Sequence, residues 1–194
     1  MRVFVAVSLP DELRGRLGEI QERLRRAQAD VSWVKPGNLH ITLKFLGEVE
    51  PKRLDRIRSA LAEVACTVSP FTLSVAGLGT FGGRIPRVVW VGAREGADAL
   101  TDLAMGVEAA LSRVGFPREK RGFTAHFTLG RVRSPRNVDA LLAAIRAEEA
   151  EGLGSVMVNQ CILMQSELHP SGSTYTAVDR FALGTTAKGD GGQG

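Results

Sequence analysis

The sequence predicts a mixed fold of strands and helices assembled as two similar halves. Three observations predict it. Each half reads strand, helix, strand, helix, strand. The first helix of each half opens 29 residues before a histidine, at Asp11 for His40 and at Ala97 for His126. Each of those histidines begins the same short pattern, His-x-Thr-Leu. A repeated order with matched spacing is the mark of internal duplication.

The elements follow from local chemistry. Residues 2–9 (RVFVAVSL) are rich in Val and Phe and read as a strand. Pro10 and Asp11 open a helix to about Ala27, with Leu13, Leu17, Ile20 and Leu24 at helical spacing. Trp33 and Val34 read as a short extended piece, with Trp33 expected in the core rather than in a cleft. Residues 39–46 (LHITLKFL) alternate as a strand. Pro51 starts a helix to about Ala65, with Leu54, Ile57, Leu61 and Val64 on one face, and 71–76 read as a strand.

The second half repeats the order. Residues 87–92 (RVVWVG) are a strand, 97–114 a helix carrying Leu100, Leu103, Val107 and Leu111, and 124–130 (TAHFTLG) a strand. Residues 137–149 form a helix with Val138, Leu141, Leu142 and Ile145 inward. Residues 155–166 and 174–183 read as two strands joined by the turn-rich HPSGS. The Gly-rich end, 185–194, has no apolar anchor and is expected to be a disordered tail to a single unit spanning 1–184.

Composition narrows the class. A chain of 194 residues, 44% hydrophobic and 24% charged, can bury a core without staples. The net charge of +4 permits a phosphate-bearing partner without requiring one. Several arginines cluster, at Arg84 and Arg87, at Arg118 and Arg121, and at Arg131, Arg133 and Arg136. Their planar forks match phosphate oxygens, although such clusters also occur simply as solvated surface. Cys66 and Cys161 form no CxxC pattern, so neither a disulfide framework nor a structural zinc site is expected, and the pair suits a reducing cytoplasm. The first apolar run is too short for a signal peptide, and no stretch reaches the length of a membrane span.

The chemistry lies in the paired motif. The chain holds three histidines and 11 threonines, so finding Thr two places after two of the three has a chance of roughly one in a hundred. Side chains alternate along a strand, so His40 and Thr42 share one face with Ile41 and Leu43 behind. His126 and Thr128 likewise share a face, with Phe127 and Leu129 behind. Should the halves pack about a pseudo-twofold axis, the two pairs would meet across a groove. Imidazole titrates near neutrality, so one ring can take a proton while the other gives one. The threonine hydroxyls can donate to non-bridging phosphate oxygens. For one histidine, a half-exposed polar position on a sheet would be the simpler reading. The pairing is what favours phosphodiester chemistry.

Other candidates are weaker. Gly77 to Gly82 matches GxGxxG, but another strand follows where a dinucleotide site needs a helix, so the segment reads as a loop and no cofactor is expected. Phe81 in that loop could stack on a base or simply pack. His169 precedes Pro170 in a turn and reads as surface. No Asp or Glu accompanies either histidine motif, so no metal is expected.

The blocks HITLKFLG and HFTLGR resemble the two HxTx motifs of the two-histidine phosphoesterase superfamily. Together with RVFVAVSLP, RVVWVG and SELHPSGSTYTAVDRFAL, they make residues 2–183 similar to the RNA 2′,3′-cyclic phosphodiesterases, also called 2′-5′ RNA ligases of the LigT type. The resemblance implies a bilobal α+β fold with antiparallel-rich sheets around a central cleft. It implies His126 as general base, His40 as proton donor to the leaving 3′ oxygen, and a 2′-phosphomonoester product. It also implies Thr42, Thr128 and Arg131 as phosphate ligands. Strict alternation would put Arg131 on the core side, so a bulge or the strand end must turn it. RNA ends or small cyclic nucleotides would be the substrate of a cytoplasmic monomer. Reversible 2′-5′ ligation of RNA halves and non-catalytic binding of RNA ends are the rival readings.

Overall fold

The computed structural model describes residues 1–83, 85–148, 150, 152–170 and 172–184. Arg84 and the expected tail at 185–194 lie outside the described residues. The first half comprises β1 (Arg2–Ser8), α1 (Asp11–Arg25), β2 (Val31–Trp33), β3 (His40–Glu48), α2 (Leu54–Thr67) and β4 (Phe71–Gly82). The second comprises β5 (Pro86–Ala93), α3 (Ala97–Arg113), β6 (His126–Val132), α4 (Val138–Ala147), β7 (Gly154–Val158), β8 (Gln160–His169) and β9 (Gly172–Ala182). Among the described residues no helix is long and apolar enough to cross a membrane.

The strands form two antiparallel sheets, ordered β3-β1-β8-β9 and β2-β6-β5-β4-β7. The halves of the sequence are not the two sheets. In the first sheet β3 and β1 are joined by β8 of the second half; in the second sheet β6 and β5 are joined by β4 of the first. The first half thus lends β2 and β4 to the second sheet, and the second half lends β8 and β9 to the first. Helices α2 and α3 pack behind the first sheet, on β9 and β3, while α1 and α4 pack behind the second, on β7 and β4. One hydrophobic cluster runs through both layers, with Ile41, Leu61, Leu103, Phe127 and Leu141 fully enclosed. Side chains of this kind contribute about 1.5–3 kcal/mol each on burial.

Two expectations are corrected. The single strand at 155–166 is two strands broken at Asn159, with β7 pairing to β4 in one sheet and β8 to β1 in the other. Val156 to Val158 and Cys161 to Met164 are both apolar strand formers, and the polar pair Asn159–Gln160 between them is too short an interruption to mark a crossing. The expected loop at Gly77–Gly82 is the far end of β4, paired with β5. Its glycines serve the sheet. Gly77 takes a left-handed φ of 80° where β4 bulges between Val75 and Leu78. At Gly79 a Cβ would fall 2.4 Å from the Trp90 ring, so the indole lies directly on the backbone. Trp33 is only half-buried, packed against the core with the Arg25 guanidinium 5.5 Å above its ring. His169 is exposed at the end of β8, as read from its place before Pro170.

Candidate active site

Each histidine is the first residue of its strand, and each is anchored in the same way. His40 Nδ1 lies 2.7 Å from the Asn38 carbonyl, and His126 Nδ1 lies 2.7 Å from the Thr124 carbonyl. In both cases the acceptor stands two residues upstream. A ring nitrogen beside a carbonyl must donate, so the neutral tautomer carries its proton on Nδ1 and leaves Nε2 for chemistry. His40 Nε2 is 3.0 Å from Thr42 Oγ1, whose hydroxyl donates to it. The carbonyl of Asn38 is presented by a 3-10 turn at Pro36–Asn38, pinned in turn by Asn38 Nδ2 donating to Ser173 O at 2.7 Å.

Aromatic rings pack against both imidazoles. Phe4 lies 4.8 Å from His40 and Tyr175 meets it edge-on at 5.2 Å. Phe81 meets His126 edge-on at 4.8 Å and rests on Trp90 at 5.2 Å. Burial therefore holds both rings below their ordinary pKa of 6.5. The anchoring carbonyls pull each value back up. The positive form of His126 depresses His40 further, and Arg131 does the same to His126. The two rings thus lie close enough to feel each other's charge, although they belong to different sheets.

A repeated bulge sets what surrounds them. In β3 the register runs Ala6 opposite Thr42, then Val5 opposite Lys44, leaving Leu43 unpaired. In β6 it runs Trp90 opposite Thr128, then Val89 opposite Gly130, leaving Leu129 unpaired. An extra residue reverses the alternation beyond it. The fifth residue after each histidine, Phe45 or Arg131, is therefore turned out and exposed. This is the turn that alternation alone denied to Arg131. Thr42 and Thr128, before the bulges, are half-buried on their histidines' faces.

Three cavities share lining residues around the histidines. The largest, about 1240 Å³, is lined by His126, Thr124 and Phe81, and by Arg87, Arg121, Arg131 and Arg133. One of about 240 Å³ is shared by Phe4, Phe45, Tyr175 and Arg131. A small one of about 50 Å³ lies beside His40 and Tyr175. Arg131 lines the first two, and Tyr175 the last two. These cavities thus link His40, His126 and Arg131; Thr42 joins them through its bond to His40 Nε2, and Thr128 stands on the His126 face of β6 without lining any of the three. Arg118 and Arg136 do not line these cavities. Among the described residues no group of three or more His, Cys, Asp or Glu is placed to hold a metal ion.

Three supporting residues carried no signal strong enough to be singled out. Gln21 is buried on α1 and donates from Nε2 to Val34 O and to the carbonyl of the bulged Leu129, both at 2.8 Å. Lys44, buried on β3, bonds both Glu108 oxygens at 2.8 Å and Pro117 O at 2.9 Å. Glu108 also accepts from the Glu119 amide at 2.7 Å, so this pair ties β3 and α3 to the segment that leads into Thr124 and His126. Tyr175 is the chain's one tyrosine, a visible oddity whose place beside His40 only the sheet order reveals.

The family model for LigT-like phosphoesterases matches this chain twice, at residues 7–90 and 91–175. The chain is 38% identical over 184 residues to an RNA 2′,3′-cyclic phosphodiesterase of Methanothermobacter thermautotrophicus, covering 94% of this chain and 99% of that one. It is 42% identical over 176 residues to a protein of the same name from Archaeoglobus fulgidus, covering 90% and 96%. Its fold resembles Escherichia coli LigT complexed with 3′-AMP, with a TM-score of 0.77, 28% identity, and coverage of 95% and 98%. The double match has its boundary between Trp90 and Val91, inside β5, close to the division read from the spacing of the histidines.

Proposed function

The chain belongs to the LigT-like phosphoesterase family, and from that membership we propose that it opens 2′,3′-cyclic phosphates at RNA ends to give 2′-phosphomonoesters. The observation that carries the reading is the pair of identically anchored imidazoles, coupled by charge across one cleft. Neutral His126 takes a proton from water at Nε2 as the water oxygen bonds to phosphorus. The P–O3′ bond breaks opposite, and His40 Nε2 delivers a proton to O3′. Thr42, Thr128 and Arg131 hold the non-bridging oxygens, whose charge grows in the transition state. Acid, base and donors cover every step, so no metal is required in this scheme. Burial lowers His40, but an anionic phosphate beside it favours the imidazolium that the step needs. Two free cysteines suit a reducing cytoplasm as the place of action.

The decisive assay incubates the purified protein with a 2′,3′-cyclic nucleotide in EDTA and identifies the monophosphate formed. The 2′ isomer is expected. The 3′ isomer, or turnover only with added metal, would sink the scheme.

A second reading has an observation in its favour. The cavity beside His126 is far larger than one water needs and, among the described residues, is lined by Arg87, Arg121, Arg131 and Arg133. A 5′-hydroxyl on another RNA could enter there in place of water, giving a 2′-5′ linkage by the same exchange. Product analysis with both RNA halves present separates joining from hydrolysis.

A further inference from the structure

The hairpin of β8 and β9 makes contacts that its pairing alone would not give it. Tyr175 pairs with Ser166, and Ser166 with Arg2, at one end of β1. His40 pairs with Ser8, at the other end. The span from Arg2 to Ser8 is about 20 Å of extended strand. Yet the Tyr175 ring meets the His40 ring edge-on at 5.2 Å, and Asn38 Nδ2 donates to Ser173 O at 2.7 Å. The hairpin and the 3-10 turn before β3 are therefore brought together across the face of the sheet, over His40. A bulge supplies the bend: Leu163 pairs with Asp179 and Met164 with Ala177, leaving Val178 unpaired. A Cβ on Gly172 would lie 3.9 Å from Lys35 Cε, so the end of the hairpin reaches the residue before that turn. The cavity of about 50 Å³ left between the two pieces is lined by Asn38, His40 and Tyr175 among others.

Asn38 joins the two pieces in one residue. Its side-chain amide holds the hairpin, and its backbone carbonyl holds His40 Nδ1 at 2.7 Å. His126 is anchored by the same kind of carbonyl, but the ring that packs on it, Phe81, is fixed within the β4–β5 ladder. We infer that Asn38 is a positioning residue for the proton donor: its side chain latches the β8–β9 hairpin to the turn before β3, and this latch holds the His40 ring with a proton on Nδ1 and Nε2 facing the substrate. This rests on the proposed reaction, in which His40 Nε2 gives its proton to O3′. An imidazolium that gives up its Nε2 proton is left with the other on Nδ1, so the step itself uses the acceptor that Asn38 O supplies. Without the amide, the turn is free to carry that carbonyl away from Nδ1, and Tyr175 is free to leave the ring.

The test compares wild type with Asn38→Ala and with Asn38→Asp, whose carboxylate keeps the shape of the side chain but has no proton to give Ser173 O. Imidazole ¹⁵N signals are recorded at pH 8, where both cleft rings are neutral, and the chain's three histidines give only three sets to assign. Wild type should carry its proton on Nδ1 in both His40 and His126. Each variant should bring His40 to a mixture of tautomers and leave His126 as it was. On a 2′,3′-cyclic nucleotide, kcat should fall about tenfold to a hundredfold with KM within about threefold, the scale of loss when a reacting group is misplaced by about 1 Å. Asn38 is only half-buried, so both variants are expected to fold, and an unfolding midpoint near that of wild type is checked alongside. Unaltered His40 signals in both variants would overturn the latch. So would an equal change at His126, which would mark general loosening. A change of tautomer at His40 with kcat intact would leave the latch standing and instead remove His40 as the proton donor.

Discussion

At the scale of single residues, the site is governed by what the imidazoles touch. Replacing either His40 or His126 by Ala should lower turnover roughly a hundredfold or more, the usual range for a proton-transferring side chain. Steady-state assays on folded variants check it, and near-normal turnover in either would count against the paired mechanism. The pH profile follows from burial. The free protein must carry one neutral and one protonated ring, and both rings titrate below 6.5. The bell in kcat/KM is therefore expected to peak on the acid side of pH 6.5, with apparent values that belong to the pair. A maximum well above neutrality would contradict the burial argument. His40 and His126 were legible because the chain repeats their motif. Phe45 was not, since a phenylalanine on an alternating strand carries no sign that a bulge will turn it outward.

At the scale of elements, the bulged strands and their supports decide what the cleft presents. Gln21→Leu removes one of two donors to the bulge carbonyl of Leu129, which keeps the Val34 amide at 2.9 Å, and takes its side-chain donor from Val34 O. A buried group left unsatisfied costs about 1–3 kcal/mol, visible in a denaturant melt. Turnover should fall as well, because the β6 bulge aims Arg131. The Lys44–Glu108 pair should respond asymmetrically. Glu108→Leu strands a buried ammonium and should cost about 3–5 kcal/mol. Lys44→Met should cost less, since Glu108 is 21% exposed and keeps the Glu119 amide. Equal losses in equilibrium unfolding would mean that Lys44 is better solvated than its position indicates. Strand and helix positions were readable from period and caps. The join at Asn159 was not, because two strand-like stretches separated by one polar pair look the same whether they stay in one sheet or cross to another.

At the scale of the whole molecule, exchange of β2 and β4 for β8 and β9 makes the halves interdependent. Each half on its own would leave an open sheet edge where the other's strand belongs. Separate fragments cut between β4 and β5 are expected to remain unfolded and to regain helical signal only when mixed, as circular dichroism would show. Stability should also depend on acid. Both histidines have lower pKa values folded than unfolded, so the unfolded chain takes up protons first as pH falls below 6.5. Native stability is therefore expected to drop from that pH down to the folded values. A His40→Phe, His126→Phe double variant should lose part of this slope, measured by urea unfolding at pH 5 and pH 7. An unchanged slope would mean that the rings are not held neutral.

The sequence by itself determined most of the order of elements, the duplication and the two matched His-x-Thr motifs. Those are local facts: hydrophobic period, turn chemistry and a motif that occurs twice. The tertiary structure alone decided that the halves trade strands, that a bulge follows each threonine, and that Phe45 and Arg131 stand at matching places in the cleft. Those depend on register between strands distant in sequence. A shift of one residue flips a side chain between core and cleft, and only the partner strand fixes it.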